Sequence, residues 1–349
     1  MMSPILVTGG AGFIGSHLVR RLLDEGESVR VLERPGARVR HLPLDRIDLV
    51  WADIRDRAAV RAAVRGCREV YHLAANPNLW TQQRGSFRQV NYHGTVNVLE
   101  EALEAGARRV LHTSTESILT RAGQNGPIGR DQDVGLGDVV GPYCRSKLLA
   151  ERYAFALARR GAPVVVVCPT LPVGPGDWGR SPPTRMILDF CRGKRREYLD
   201  AELNLIDVRD VAAGMVAALR RGVPGRRYLL GHENLSIRAV FRTLASLTGL
   251  PEPTRRVPYA VALTAAYVSE WLADVFTHRP PAATVTGVKL TRRTMHFDAG
   301  PSLAELGIQP RPVLEALRDA VAWFRAAGWV TRPGIARQAS GVGLALVKC

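Results

Sequence analysis

Short apolar runs alternate with longer stretches of helical periodicity through the first half of the chain. Six apolar runs predict buried strands, at 5–7, 28–33, 48–51, 69–75, 109–115 and 163–167. Between them, apolar residues recur at helical spacing over 13–26, 57–65, 87–105 and 142–160. Strands that alternate with helices in this way predict an α/β fold, a Rossmann-type doubly wound parallel sheet.

The pattern becomes less regular beyond residue 178. One strand near 205–208 is predicted, and helices are predicted at 184–193, 211–220, 236–248, 257–276 and 312–327. We therefore divide the chain into a nucleotide-binding domain (1–178), a smaller, mainly helical substrate lobe interleaved with the sheet edge (179–330) and a loose tail (331–349). The apolar helix at 257–276 has two interpretations, a core helix of the lobe or a peripheral membrane contact.

The first predicted strand runs into a turn made almost entirely of glycine. Such a turn permits a tight bend, close approach of a pyrophosphate and close packing of helix on strand. The following helix adds free N–H groups at its N-terminus for the phosphates. The turn therefore predicts a dinucleotide site, with these residues against the cofactor: Gly9, Gly12, Phe13, Ile14 and Gly15.

Two residues of opposite charge share the end of strand two, where a dinucleotide's adenosine ribose would lie. Glu33 can accept both ribose hydroxyls of NAD, whereas Arg34 can bind the 2′-phosphate of NADP through two parallel hydrogen bonds. Asp53, after strand three, is predicted to cap the next helix or to bond the adenine. The end of strand four is expected to let the cofactor pass close to the backbone, at Leu73, Ala74 and Ala75.

Tyr143 and Lys147 lie four residues apart in a predicted helix, so they share one face. A lysine ammonium beside the phenol, together with the charge of a nicotinamide, is expected to lower the pKa of the tyrosine from about 10. Such a tyrosine can exchange a proton with a hydroxyl or a ketone while hydride moves at the same carbon. The lysine can also bind the nicotinamide ribose. Hydroxyls at the end of the preceding strand can hold the reacting oxygen, namely Thr113, Ser114 and Thr115.

The formal net charge of +16 over 349 residues is carried almost entirely by arginine. Either a coding bias or attraction to a membrane surface or a phosphorylated substrate explains it. No basic run exceeds three residues and aromatics make up 6%, which argues against nucleic acid as a partner. Five scattered cysteines without metal-ligand spacing predict no metal site and a cytoplasmic location. No uncharged apolar run is long enough to predict a membrane span.

Five motifs stand in order along the chain: Thr8-Gly-Gly-Ala-Gly-Phe-Ile-Gly15, His72-Leu-Ala-Ala75, Asn91-x-x-Gly94-Thr95-x-Asn97, Tyr143-x-x-x-Lys147 and the segment from Pro169 to Gly176. This set resembles the extended short-chain dehydrogenase/reductases, which include NAD(P)-dependent sugar epimerases, dehydratases and dihydroflavonol-reductase-like enzymes. The resemblance implies that Thr115 is the catalytic hydroxyl, Tyr143 the base and Lys147 its helper. It also implies that Asp53 and Ile54 hold the adenine and that Pro169 lies beside the nicotinamide.

A narrower resemblance, to the hopanoid-associated sugar epimerase group, rests on segments that include Leu79-Trp80 and Leu203 to Val211. Glu33 and Glu116 depart from that group, and Thr115-Glu116 is similar to the Thr-Asp pair of sugar dehydratases. In the dihydroflavonol-reductase-like relatives the arginine at position 34 goes with NADP. We therefore predict NADP, with NAD as the alternative. The substrate-facing residues are predicted to be Asn76, Trp80, Thr115 and Glu116.

The function implied is a sugar epimerase or a carbonyl reductase that acts on a secondary alcohol or ketone, linked to hopanoid synthesis. The alternatives are a nucleotide-sugar dehydratase and a non-catalytic NAD(P)-binding regulator. The expected partner is a small sugar or lipid-linked substrate. A homodimer and a peripheral position at the inner membrane are left open.

Overall fold

A computed structural model describes residues 3–330 of the chain. The strands are β1 (Ile5–Thr8), β2 (Val29–Glu33), β3 (Ile47–Trp51), β4 (Glu69–His72), β5 (Arg109–Thr113), β6 (Val164–Pro169), β7 (Leu171–Val173), β8 (Glu197–Leu199), β9 (Glu202–Asp207), β10 (Arg227–Leu230), β11 (Glu233–Ser236) and β12 (Arg255–Val257). The predicted tail over 331–349 lies outside the described residues.

The helices are α1 (Phe13–Asp24), α2 (Arg57–Val64), α3 (Gly85–Phe87), α4 (Thr95–Glu104), α5 (Gly141–Arg159), α6 (Pro182–Cys191), α7 (Val208–Arg221), α8 (Ile237–Thr248), α9 (Tyr259–Leu272), α10 (Val285–Leu290), α11 (Gly300–Leu306) and α12 (Val313–Ala326). Two π-helical turns continue them, at Arg88–Gly94 and Ala273–Thr277, and a 3₁₀ turn covers Glu116–Ile118. Within residues 3–330, none of the helices combines the length and the apolarity that crossing a bilayer would require.

Seven parallel strands form the central sheet, in the order β10-β6-β5-β4-β1-β2-β3. The inner strands are largely buried because helices cover both faces, and every residue of β6 is buried. The predicted Rossmann-type doubly wound sheet is confirmed. Its carboxyl edge gathers the ends of β1, β2, β4 and β5, which is where ligands bind in such sheets.

One strand of the central sheet comes from beyond residue 178. In β10, Tyr228 pairs with Val167 and Leu229 with Cys168, so the segment completes the sheet beside β6. The rest of the lobe packs around a second apolar core with two small sheets, β11-β9-β7 and β12-β8, and β7 comes from before residue 178. The central sheet therefore crosses the predicted boundary at 178, and the division into domains stays a prediction.

The apolar segment predicted at 257–276 forms α9 and the π-helical turn that follows it. Ala266 is the only buried residue of α9, and Ala273 is the only one of the turn. The interpretation of this segment as a core helix of the lobe is therefore wrong. Its large apolar side chains point to solvent instead.

Candidate active site

The glycine turn brings β1, α1 and the end of β4 into close contact. A Cβ atom added at Gly9, which has a φ of +72°, would lie 2.8 Å from the backbone nitrogen of Ala74. A Cβ added at Gly15 would collide with the carbonyl oxygen of Gly9. Gly12 is exposed and caps α1 without a side chain, so the N–H groups of the first helical turn remain available to a ligand. Phe13 and Ile14 are half-buried at the same helix start.

Glu33 and Arg34 take opposite directions at the end of β2. Glu33 is buried, and its Oε1 accepts a hydrogen bond of 2.6 Å from the backbone N–H of Ala11 in the glycine turn. Burial raises the pKa of this carboxyl, and the Ala11 N–H together with the Arg34 charge opposes that rise. The side chain of Arg34 is exposed. The carboxylate thus lies against the turn that would hold the dinucleotide.

The segment after β3 is fixed by α4 and by the π-helical turn that precedes it. Asn97 donates to the carbonyl oxygen of Ile54 at 3.0 Å, and an added Cβ at Gly94 would lie 2.6 Å from Cδ1 of Ile54. Asp53 forms an ion pair of 2.7 Å with Arg55, which lowers the pKa of the Asp53 carboxyl. Capping of α2 is instead performed by Asp56, so the expectation that Asp53 caps this helix is wrong.

Helix α5 carries Tyr143 and Lys147 to the end of β5. Lys147 is buried, and its Nζ donates a hydrogen bond of 2.6 Å to the carbonyl oxygen of Thr113. Burial lowers the pKa of Lys147 to about 8, while the neighbouring Cys168 and Glu151 oppose the fall. The amine therefore remains mostly protonated at neutral pH.

The pKa of Tyr143 does not shift in the direction that the spacing predicts. Burial raises it, the neighbouring Cys144 and Glu116 add to the rise, and the Thr115 hydroxyl opposes it. Lys147 is bonded to Thr113 and is not among the main causes of the shift in the Tyr143 pKa. Among the groups of the protein itself, removal of the phenol from water is the dominant effect, and the joint effect of Lys147 and a nicotinamide charge stays a prediction. The phenol consequently stays protonated at neutral pH.

A carboxyl group lies beside the predicted catalytic hydroxyl. Thr115 donates to Oε2 of Glu116 at 2.8 Å, and Ser117 donates to Oε1 at 3.1 Å. Glu116 is buried, and burial raises the pKa of its carboxyl against the effect of these two hydrogen bonds. The protonated form of Glu116 is therefore favoured relative to an exposed glutamate, and a proton can be donated from it.

Asn91 belongs to one of the five sequence motifs but was not predicted as a site residue. It is buried in the π-helical turn, where its Oδ1 accepts from the backbone N–H of Asn76 at 2.7 Å. Its Nδ2 donates to Ser146 at 3.0 Å, and Ser146 donates to the carbonyl oxygen of Tyr143. Asn91 thus joins the loop after β4 to the first turns of α5. A buried amide on an otherwise apolar helix was the available signal, because buried polar groups need partners.

The remaining predicted residues separate into two groups. The segment from Leu73 to Ala75 lies against the glycine turn, and Pro169 ends β6 beside β5 in the central sheet. Trp80, in contrast, donates its indole N–H to Oδ1 of Asp274 at 3.0 Å, beyond the end of α9. Trp80 is therefore bonded to the helical lobe, and it makes no hydrogen bond to Thr115 or Glu116.

The residues at this edge suit a dinucleotide. The glycine turn provides a cradle whose tight backbone packing leaves no space for a Cβ at Gly9 or Gly15. The hydroxyls of Thr113 and Ser114 are buried and have no hydrogen-bond partner among residues 3–330. Buried hydroxyls of this kind are normally bonded, so they are available to a ligand. Three features therefore suit a nucleotide cofactor next to a proton donor. They are the glycine cradle, the two unpaired hydroxyls and the Tyr143–Lys147 pair.

Comparison with known proteins gives consistent results over most of the chain. The sequence model of the NAD dependent epimerase/dehydratase family matches residues 5–231. A Synechocystis protein named "Putative dihydroflavonol 4-reductase" is 37% identical over 95% of this chain and 97% of its own length. Sterol demethylase protein B of Methylococcus capsulatus is 33% identical over 93% of this chain and 99% of its own. The solved structure of gox2253 superposes with a TM-score of 0.83 at 33% identity, over 94% of this chain and 100% of that one.

Proposed function

Since the chain belongs to the NAD dependent epimerase/dehydratase family, we propose that it is a reductase that interconverts a ketone and a secondary alcohol on a polycyclic, largely apolar molecule. The observation that carries this proposal is the position of Thr115, Tyr143 and Lys147, which meet at the end of β5 beside the glycine cradle. The two relatives named for a dihydroflavonol and a sterol, similar over nearly the whole chain, support the substrate class.

In this proposal each residue has a separate task. When bound, the nicotinamide cofactor supplies or accepts the hydride. The hydroxyls of Thr115 and Tyr143 hold the substrate oxygen by hydrogen bonds. Tyr143 gives its proton to the ketone oxygen during reduction, and its raised pKa keeps that proton available at neutral pH. Lys147 holds a buried positive charge at the end of β5 through its bond to Thr113, and it can bind the nicotinamide ribose.

An epimerase would use the same three residues, so cofactor stoichiometry separates the two activities. A reductase consumes one reduced cofactor for each product, whereas an epimerase returns the hydride to the same carbon and leaves the cofactor unchanged. We expect net oxidation of the reduced cofactor when the protein is mixed with sterol-type or flavanone-type ketones. Product formation without any net change in nicotinamide absorbance would exclude a reductase and leave a redox-neutral reaction, either epimerisation or dehydration. The link to hopanoid synthesis stays a prediction.

Dehydration is a second candidate because Glu116 is a buried carboxyl bonded to Thr115. A protonated Glu116 can donate to a leaving hydroxyl, which reduction does not need. If the protein is a reductase, Glu116→Gln should keep turnover within about tenfold, because the amide still bonds Thr115. A dehydratase should lose on the order of a hundredfold or more in the same variant. Turnover of Glu116→Gln, with Ser117→Ala as the neighbouring control, distinguishes the two reactions.

We propose NAD as the cofactor, against the NADP that the family resemblance favours. The support is the buried carboxylate of Glu33 at the glycine turn, where it would repel a 2′-phosphate, and the outward direction of Arg34. Calorimetric titration should therefore show tighter binding of NAD than of NADP. Glu33→Val should reduce or reverse the difference, whereas Arg34→Ala should leave NAD affinity unchanged. Tighter binding of NADP, lost in Arg34→Ala, would restore the NADP prediction.

A further inference from the structure

Helix α9 and the turn that continues it present an apolar face to solvent. Along this face, apolar side chains recur every three or four residues, at Val261, Ala265, Val268, Trp271, Leu272, Val275 and Phe276. Positions with this spacing share one side of a helix. Exposure reaches 58% at Val261, 56% at Trp271 and 64% at Phe276. The face is about 22 Å long at the usual helical rise.

The two acidic residues of the same helical segment are bonded to neighbouring segments of the chain. Glu270 accepts from the backbone N–H of Val285 at 2.8 Å, and Asp274 accepts from Trp80 at 3.0 Å and from Arg84 at 2.9 Å. This arrangement inverts the amphipathic pattern of a globular surface helix, which buries its apolar side and exposes its charges. Continuous apolar surface of this kind marks a site of interaction with a partner or a membrane.

Basic residues flank the apolar face. Lys289 lies 5.7 Å from the ring of Tyr267, Arg292 lies 4.2 Å from the ring of Tyr259, and Arg279 is exposed just beyond the turn. The formal net charge of the whole chain is +16. A second copy of the chain would bring the same positive charges together, whereas an anionic surface would neutralise them.

We propose that the apolar face of α9 docks on the surface of a lipid bilayer that contains anionic headgroups. Helices that lie in the membrane interface have Trp, Phe and Leu on one side and Lys or Arg beside it, as found here. Trp271 and Phe276, whose rings lie 5.4 Å apart, would enter the boundary between headgroups and acyl chains. The basic residues would bind the headgroups.

The docking face is connected to the candidate active site. The bond from Trp80 to Asp274 and the pair of Arg84 with Asp274 join α9 to the loop that begins at Asn76. Asn91 in turn bonds Asn76 to the start of α5. An apolar substrate leaving the bilayer would thus meet the loop beside the site. The docking itself follows from the surface of α9 and is independent of the reaction that is catalysed.

Vesicle flotation with the full chain tests the proposal. At low salt, the wild-type protein should float with vesicles of equal parts phosphatidylcholine and phosphatidylglycerol. A smaller fraction of the protein should float with vesicles of phosphatidylcholine alone. Trp271→Glu should weaken binding by about tenfold or more, since a buried aromatic side chain is lost from the interface. Trp51→Glu is the matched control, because Trp51 is 47% exposed on edge strand β3, and it should float like the wild type.

A second variant reports where the indole is placed. Trp271→Phe should still float, but it should lose the fluorescence quenching that brominated lipid causes in the wild type. Absence of flotation of the wild type, or equal flotation of Trp271→Glu and Trp51→Glu, would overturn the proposal. A lipid-free dimer that dissociates in Trp271→Glu would also overturn it, since the face would then belong to a second copy. Far-UV circular dichroism of each variant verifies folding.

Discussion

Replacing Tyr143 by phenylalanine should lower kcat by a factor on the order of a thousand while nucleotide affinity changes little. The variant removes the one hydroxyl that can pass a proton to the substrate oxygen and keeps the aromatic ring that packs against Phe87 at 6.4 Å. It leaves the glycine cradle, Glu33 and the bond from Lys147 to Thr113 in place. Steady-state turnover and calorimetric titration of the oxidised cofactor measure the two quantities separately.

The same helix offers a matched control. Tyr153 lies ten residues further along α5 and donates its hydroxyl to Glu100 instead of facing the site. Tyr153→Phe should therefore retain wild-type turnover. Lys147→Ala should weaken both turnover and nucleotide binding, because it removes a buried positive charge at the end of β5. Wild-type turnover in Tyr143→Phe would contradict the proposed proton transfer, whatever the substrate.

Replacing Arg227 by methionine should destabilise the protein by about 3–5 kcal/mol, the cost of leaving one partner of a buried ion pair alone. Arg227 in β10 bonds Glu151 in α5 at 2.5 Å, and their side chains are only 13% and 1% exposed. Without the guanidinium, the Glu151 carboxylate would remain in an apolar setting, bonded only to the thiol of Cys168. The midpoint of equilibrium unfolding in urea measures the loss.

The neighbouring residue provides the comparison for this variant. Arg226 pairs with Glu305 at 2.8 Å, but both side chains are partly exposed, so Arg226→Met should cost clearly less stability than Arg227→Met. The double variant Arg227→Met with Glu151→Leu should recover most of the stability, because no charge is then left buried. Equal losses in Arg227→Met and Arg226→Met would show that the buried pair has no special role.

The sequence predicted those parts of the site whose geometry depends on residues close together in the chain. The turn from Gly9 to Gly15 needs glycine for contacts within one short segment, so its role is visible in the sequence. The shared face of Tyr143 and Lys147 follows from helical periodicity alone. The pKa of Tyr143 could not be predicted in this way, since burial by distant segments dominates it. The direction of Glu33 likewise depends on its bond to Ala11, 22 positions away in the chain.

The fold shows the same division between local and distant causes. The strands from β1 to β6 are short, mainly apolar runs bounded by turns, and they were predicted from their local composition. Strand β10 was not assigned to the central sheet, because nothing in Arg227–Leu230 specifies a partner near residue 166. The orientation of α9 could not be inferred either. An apolar helix has the same sequence pattern whether it packs on the protein core or on a surface outside the molecule.

The late arrival of β10 affects how the protein is made. During synthesis, β6 leaves the ribosome well before residue 227. Until β10 follows, the backbone groups on one edge of Val164 to Cys168 have no strand to pair with. An open, apolar edge strand is a template for pairing with other nascent chains. Folding of the nucleotide-binding half therefore cannot finish until much of the lobe has been translated. A pause between β6 and β10 should increase aggregation and demand for chaperones, whereas a pause after residue 230 should not.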